Sequence, residues 1–376
     1  MSDDERLCSI ALTQCPGIGA ITAKRLVEQA GSASEVMRHP DVFAGKGKAI
    51  SPQIAQALGN KEVMSRAEDE LRFIERFGIR CLTLNDDDYP YRLRDCADAP
   101  IVLYFSGNAS LNAQRILSVV GTRHSTDYGN QACKALMSDL AKLCPGTLIV
   151  SGLAYGIDIH AQRAAMDNGL PTVAVLAHGL DRIYPPEHRQ WAQEMRAQGG
   201  LLTEFLSGTN ADRYNFISRN RIIAGLADAT LVVESAEHGG ALTTARLAAS
   251  YNRDVFALPG RTDDHWSQGC NCLIRDNKAA LVQNANDLAQ AMGWIKPSTK
   301  HGRNRASTTR QGELFPPLSP EEQKAVDALN RHQGEAATEE LALETSIPIH
   351  KLKALLVELE FKGVVKMLAG DRCRLA

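Results

Sequence analysis

Between residues 116 and 258, six short apolar runs alternate with amphipathic stretches, and this alternation constrains the fold more than any other feature. The runs are Ile116 to Val120, Thr147 to Val150, Thr172 to Leu176, Leu201 to Phe205, Thr230 to Glu234 and Asp254 to Leu258. Continuous apolar runs of this length belong to strands covered on both faces, which is the situation of parallel strands joined by crossover helices. The repeated βα units predict an α/β core with a Rossmann-like, doubly wound parallel sheet.

Helical segments flank this core. Residues 1–80 carry apolar positions at helical spacing, as in Leu71, Ile74 and Phe77, and form a first domain. Within it, Pro16-Gly17-Ile18-Gly19 ahead of a helical run resembles the turn of a helix-hairpin-helix or SAM-like domain. Such a turn can aim N–H groups at a phosphate, or it can simply join two packed helices. Residues 81–294 form the core, and residues 295–318 a linker with Lys296, Lys300, Arg303, Arg305 and Arg310 against the single acid Glu313. Residues 319–376 read as three helices followed by a β-like end, Val364 to Leu368 and Arg372 to Leu375, the pattern of a winged helix.

The formal net charge of −2 excludes a globally basic nucleic-acid coat but not a local basic patch. No stretch approaches the ~20 apolar residues that span a bilayer, and the acidic start MSDDERLCSI lacks the basic flank of a signal peptide, so a cytoplasmic protein without membrane partners is expected. The nine cysteines are scattered, several in apolar surroundings such as Cys133 and Cys144, as in a reducing compartment. Cys270 and Cys272 form the only close pair, and no second pair completes a metal site.

In a doubly wound sheet, ligands bind beyond the carboxyl ends of the strands. The loops there contain Gly121-Thr122-Arg123, Ser151-Gly152-Leu153, His178-Gly179, Glu204, Glu234 and His238-Gly239-Gly240. Glycine turns before helices present N–H groups to an anion, and Arg123 adds a guanidinium fork, although glycines also serve plain strand-to-helix turns. Neither G-x-G-x-x-G after the first run nor a P-loop occurs, so no nucleotide cofactor is expected. The densest basic cluster is Arg213-Tyr214-Asn215-Phe216-Ile217-Ser218-Arg219-Asn220-Arg221, without a carboxylate. Arginine beside an aromatic suits a single strand, one group holding phosphate and the other stacking on a base. Arg219 and Arg221 can equally pair with Asp158, Glu204 or Glu234 inside the protein. Those carboxylates, with His160 and His178 nearby, are candidates for acid–base work, yet no nucleophile elbow, metal spacing or paired-acid motif accompanies them.

The segments SGLAYGIDIHAQRAAM, AVLAHGLDRIYPPEH, NFISRNRIIAGLADATLVVESA, GGALTTARLAA and GCNCLIRDNKAALV, in this order after GTR, closely resemble the DprA (Smf) DNA-processing family of bacteria. The resemblance is densest over residues 80–290, and the flanking segments match the family's three-part architecture. It implies a non-enzymatic protein that binds incoming single-stranded DNA in natural transformation, protects it and helps load RecA, with single-strand-binding protein as a further partner. It places the anion pocket on Gly121, Thr122, Arg123 and Arg213, the stacking ring on Phe216, and the RNR core on Arg219, Asn220 and Arg221, beside Gly239 and Gly240. It also implies a homodimer through the core, for which Leu273, Ile274, Leu281 and Val282 are candidates. Ala161-Gln162 with His160, Ile217, and Gly239-Gly240-Ala241-Leu242 depart from the family pattern, which puts a role for the histidine in doubt more than DNA binding.

Two other classes compete. A Rossmann-like nucleotide phosphoribohydrolase is similar at Gly239-Gly240 and the threonines after it, but Ala245 and Arg246 stand where its glutamate belongs. A transcription factor would read DNA with the third terminal helix, where Lys351 and Lys353 are offset by Glu358 and Glu360.

Overall fold

The computed structural model describes residues 3–45, 50–296, 318–332, 334–368 and 371–375. The chain divides into two compact units, residues 1–298 and 299–376. The first therefore takes in both the helical segment 1–80 and the core 81–294. Most of the expected linker, residues 297–317, lies outside the described residues.

Among the described residues, the first unit is built on one sheet of nine strands. In chain order they are β1 (Arg80–Thr83), β2 (Val102–Gly107), β3 (Ile116–Val120), β4 (Leu148–Ser151), β5 (Thr172–Val175), β6 (Gly200–Thr203), β7 (Ala229–Val232), β8 (Asp254–Ala257) and β9 (Ala280–Leu281). Their spatial order is β1-β2-β6-β5-β4-β3-β7-β8-β9. From β6 to β9 all neighbours are parallel, whereas β2 pairs antiparallel with β6, and β1 with β2. All six predicted strands form, with ends displaced by a residue or two. The sheet is parallel through its centre and mixed at one edge.

Every residue of β3, β4, β5, β6 and β7 is buried, as the uninterrupted apolar runs require. Alternate side chains serve opposite faces. Leu117 and Val119 join one core with helices Asp127–Leu143, Ile157–Asp167 and Ala285–Ala291, while Ile116 and Val120 join the other. Ser118 and Thr230, the polar residues buried mid-strand in β3 and β7, satisfy each other at 2.7 Å.

The N-terminal helices share the second of these cores. Polar joints fix them to the sheet. Lys24 Nζ donates to the carbonyls of Arg94 and Cys96, and the buried Glu70 carboxylate accepts from the backbone N–H and hydroxyl of Ser207, in the loop after β6. Gly17 takes a positive φ of 86° in the Pro16–Gly19 turn, which glycine adopts without a Cβ clash. Lys24, just beyond this turn, is engaged by the protein's own carbonyls.

Among the described residues, the second unit has three helices, Pro320–Arg331, Thr338–Thr345 and Ile349–Phe361, and three short strands, β10 (Glu335–Ala337), β11 (Val365–Leu368) and β12 (Arg372–Leu375). The strands pair antiparallel in the order β10-β12-β11, completing the winged-helix arrangement. Leu329, Leu341, Leu352, Leu356 and Leu359 fill its core, and a Ser319–Glu322 capping box starts the first helix. On the third helix, Lys353 is paired with Asp371 and Glu360 accepts the Met367 N–H.

Candidate nucleic-acid interface

The crossover from β3 leads to β4 on one side, and that from β7 leads to β8 on the other. Since β3 and β7 are neighbours, their carboxyl ends form the topological switch point. A cleft of about 1010 Å³ opens there. The Thr122 N–H donates to the Glu234 carbonyl at 2.8 Å, tying the β3 and β7 loops together. Glu234 is wholly buried and accepts from the backbone N–H and hydroxyl of Thr126, at the cap of helix Asp127–Leu143.

Helix Arg213–Leu226 forms one wall. Asp212 caps it by accepting the Asn215 N–H. Arg213, Phe216, Ile217, Asn220 and Ile223 line the cleft. They recur at i, i+3, i+4, i+7 and i+10, one face of a helix. The helix Gly240–Ser250 starts opposite without a side-chain cap, so its first N–H groups are available to an anion. Gly239 is packed so that a Cβ would fall 2.4 Å from the Ser235 hydroxyl, whereas Gly240 has open space.

Phe216 sits among cations. The Arg123 guanidinium carbon lies 4.8 Å from its ring centroid and that of Arg219 lies 6.0 Å away, with the Tyr184 ring at 5.8 Å. Arg123 and Arg213 are exposed and form no ion pair with any described residue. Arg246, Arg275 and Lys278 add positive charge to the lining, although Asp276 pairs with the last two.

The RNR core divides by depth. Arg219 is 3% exposed beneath the cleft and donates to the carbonyls of Gly152 (2.8 Å) and Val175, while its Nε has no partner. Gly152 brings the backbone close here, where a Cβ would lie 2.3 Å from this guanidinium and displace it. Asp158, in the same buried layer, accepts the Gly152 N–H at 3.1 Å. Burial pushes the Asp158 carboxyl above its ordinary range, opposed by the Arg219 charge, and burial lowers Arg219 in turn.

Arg221 leaves the cleft altogether. It donates to the Asp98 carbonyl at 2.6 Å and pairs with Glu204, which burial pushes upward in pKa. The expected place of Arg221 beside the ligand gives way to internal pairing, because a buried Glu204 needs a counter-charge.

The three carboxylates considered for acid–base chemistry are thus each engaged by the fold. His178 is likewise held, its Nδ1 on the Gly179 carbonyl and its Nε2 accepting the Tyr184 N–H, and burial lowers its pKa. Cys270 is buried with Sγ on the Val232 carbonyl, two positions from cleft-lining Cys272. Among the described residues, no group of three or more His, Cys, Asp or Glu side chains could hold a metal. Of the apolar residues expected at a dimer contact, Leu273 and Val282 are buried in the protomer's own cores and Ile274 packs against one, leaving Leu281 exposed on β9 at the sheet edge.

Two ring systems escaped the sequence reading. Tyr184 is 44% exposed beside Phe216, and Trp266, in the cleft lining, stacks on His124 at 5.4 Å. The signal was available, since a tryptophan inside the polar run Asp263-Asp264-His265-Trp266-Ser267 has no apolar neighbours to pack with along the chain.

Comparison with known proteins agrees with this fold. Residues 80–293 match the family described as DNA recombination-mediator protein A. The chain is 30% identical to Protein Smf of Synechocystis over 404 residues, covering 99% of both chains. The crystal structure of DNA processing protein A (DprA) from Streptococcus pneumoniae is 28% identical, with a TM-score of 0.61 over 77% of this chain and 98% of that one. DNA processing protein A from Helicobacter pylori, solved to describe its single-stranded DNA binding mode, is 29% identical, with a TM-score of 0.52 over 57% of this chain and 96% of that one. Among the described residues no helix is long and apolar enough to cross a membrane. With its family match spanning more than half the chain and relatives aligned along almost its whole length, this chain belongs to the DNA recombination-mediator protein A family, whose members carry the names DprA and Smf.

Proposed function

We propose that the switch-point cleft binds single-stranded DNA and that the protein delivers the strand to RecA in the cytosol, without turnover of its own. The observation that carries this reading is Phe216, set at the cleft between the unpaired Arg123 and the exposed Tyr184. A phosphate draws the Arg123 guanidinium toward itself and bares the ring for a base, while Arg213 and the open N-terminus of helix Gly240–Ser250 receive neighbouring phosphates. A duplex hides its base faces and cannot use the ring. The engagement of Asp158, Glu204 and Glu234 in structural hydrogen bonds supports a binding role over a hydrolytic one. Pairing of two protomers through the core would put two such clefts on one long strand and raise the effective affinity.

The full chain should shorten the lag of RecA assembly on strands precoated with single-strand-binding protein, read by RecA's DNA-dependent ATP hydrolysis. An unchanged lag at concentrations that saturate the DNA would overturn the delivery role.

A further inference from the structure

A second groove lies on the same unit, between the end of helix Lys61–Phe77 and helix Arg189–Gln198, with a volume of about 370 Å³. Phe77 is 59% exposed on its wall, its ring tilted against half-buried Phe73 at 4.8 Å between centroids. Arg182, Arg189 and Arg196 line the groove with it. Arg189 and Arg196 are seven residues apart on one helix face, exposed, and form no ion pair with any described residue. Among the described residues, the one carboxylate in the lining, Asp181, is already taken by Arg182 and the Gly208 N–H.

A short segment of chain links this groove to the cleft. Residues 180–183 form its floor, and the next residue is Tyr184, whose ring meets Phe216. The connecting segment is held at both ends. His178 Nε2 accepts the Tyr184 N–H, and Arg182 donates to the side chain of Asn210, whose carbonyl accepts from Asn215 on the helix bearing Phe216.

We propose that this groove is a second strand-binding subsite, where single-stranded DNA leaving the Phe216 cleft passes over Tyr184, stacks a base on Phe77 and lays phosphates on Arg189 and Arg196. The occupant follows from charge and continuity. Excess positive charge beside an exposed ring fits a nucleotide, and a floor one residue from the cleft's own aromatic pair fits the same strand rather than a separate ligand. The inference rests on the proposed function of the cleft.

The test uses the full chain and labelled oligothymidylates of about 4 and about 16 nucleotides, near the limits of ordinary single-strand sites. The double variant Arg189→Glu/Arg196→Glu should bind the long oligomer about tenfold more weakly, with a log–log salt slope flatter by about 1.4 for two lost phosphate contacts. Phe77→Ala should weaken the same complex about fivefold or more without altering the slope. Both should bind the short oligomer as the parent does, and Arg38→Glu, an exposed reversal on helix Ala33–Arg38, should change neither complex. If short-oligomer binding depends on Phe216 but the groove variants hold the long oligomer like the parent, the second subsite is wrong and the cleft stands. If Phe216→Ala leaves short-oligomer binding intact, the cleft reading itself fails and the subsite falls with it.

Discussion

Arg219→Ala should lower folding stability by about 3–5 kcal/mol, the scale for removing one partner from a buried charge network. The guanidinium answers two strand-end carbonyls, those of Gly152 and Val175, and its charge opposes the cost of burying Asp158. Alanine leaves these acceptors without a donor and opens a cavity under Phe216. Urea denaturation should show a lower midpoint with an unchanged slope, at salt concentrations where no DNA binds. A variant as stable as the parent would mean that this arginine is not part of the frame, and its burial would then need another explanation.

Phe216→Ala should instead leave stability nearly unchanged and weaken single-strand binding by about 1–3 kcal/mol, roughly five- to 150-fold, the worth of one stacked base. Arg123→Ala should weaken binding as well, but with a different signature. Each phosphate contact removed flattens the single-strand salt slope by about 0.7, whereas loss of a ring leaves the slope alone. Because Arg123 also covers the Phe216 ring at 4.8 Å, the two substitutions should couple, and the double variant should lose less than the sum of the singles. Identical salt slopes for both single variants would contradict the separate roles of charge and ring.

The parallel centre of the sheet was legible because full burial on both faces leaves a simple mark, the unbroken apolar run of β3 or β5. The antiparallel edge was not read. β2 is as apolar as its neighbours, but no crossover helix leaves it, and β1 is four residues long with an exposed arginine at its start. The cleft lies where the glycine turns after the strands pointed, and its Arg213, Phe216 and Asn220 lie in the basic and aromatic cluster of the sequence, but that these three share one helix face is seen only in the structure. The depth of each arginine did not. Arg219 and Arg221 look alike in the chain, and only the arrival of Gly152, Val175, Asp98 and Glu204 from distant elements draws both inward. The second groove was equally hidden, because its ring and its arginines come from helices more than a hundred residues apart.

The central claim, that a ring beside the unpaired Arg123 makes this cleft a single-strand site, is tested most directly by titrating the full chain with single- and double-stranded DNA of equal length across a series of salt concentrations. The single strand should bind more tightly at every salt concentration, and its affinity should fall linearly on a log–log plot as phosphate counterions are displaced. Equal affinities for the two forms, or binding indifferent to salt, would contradict it.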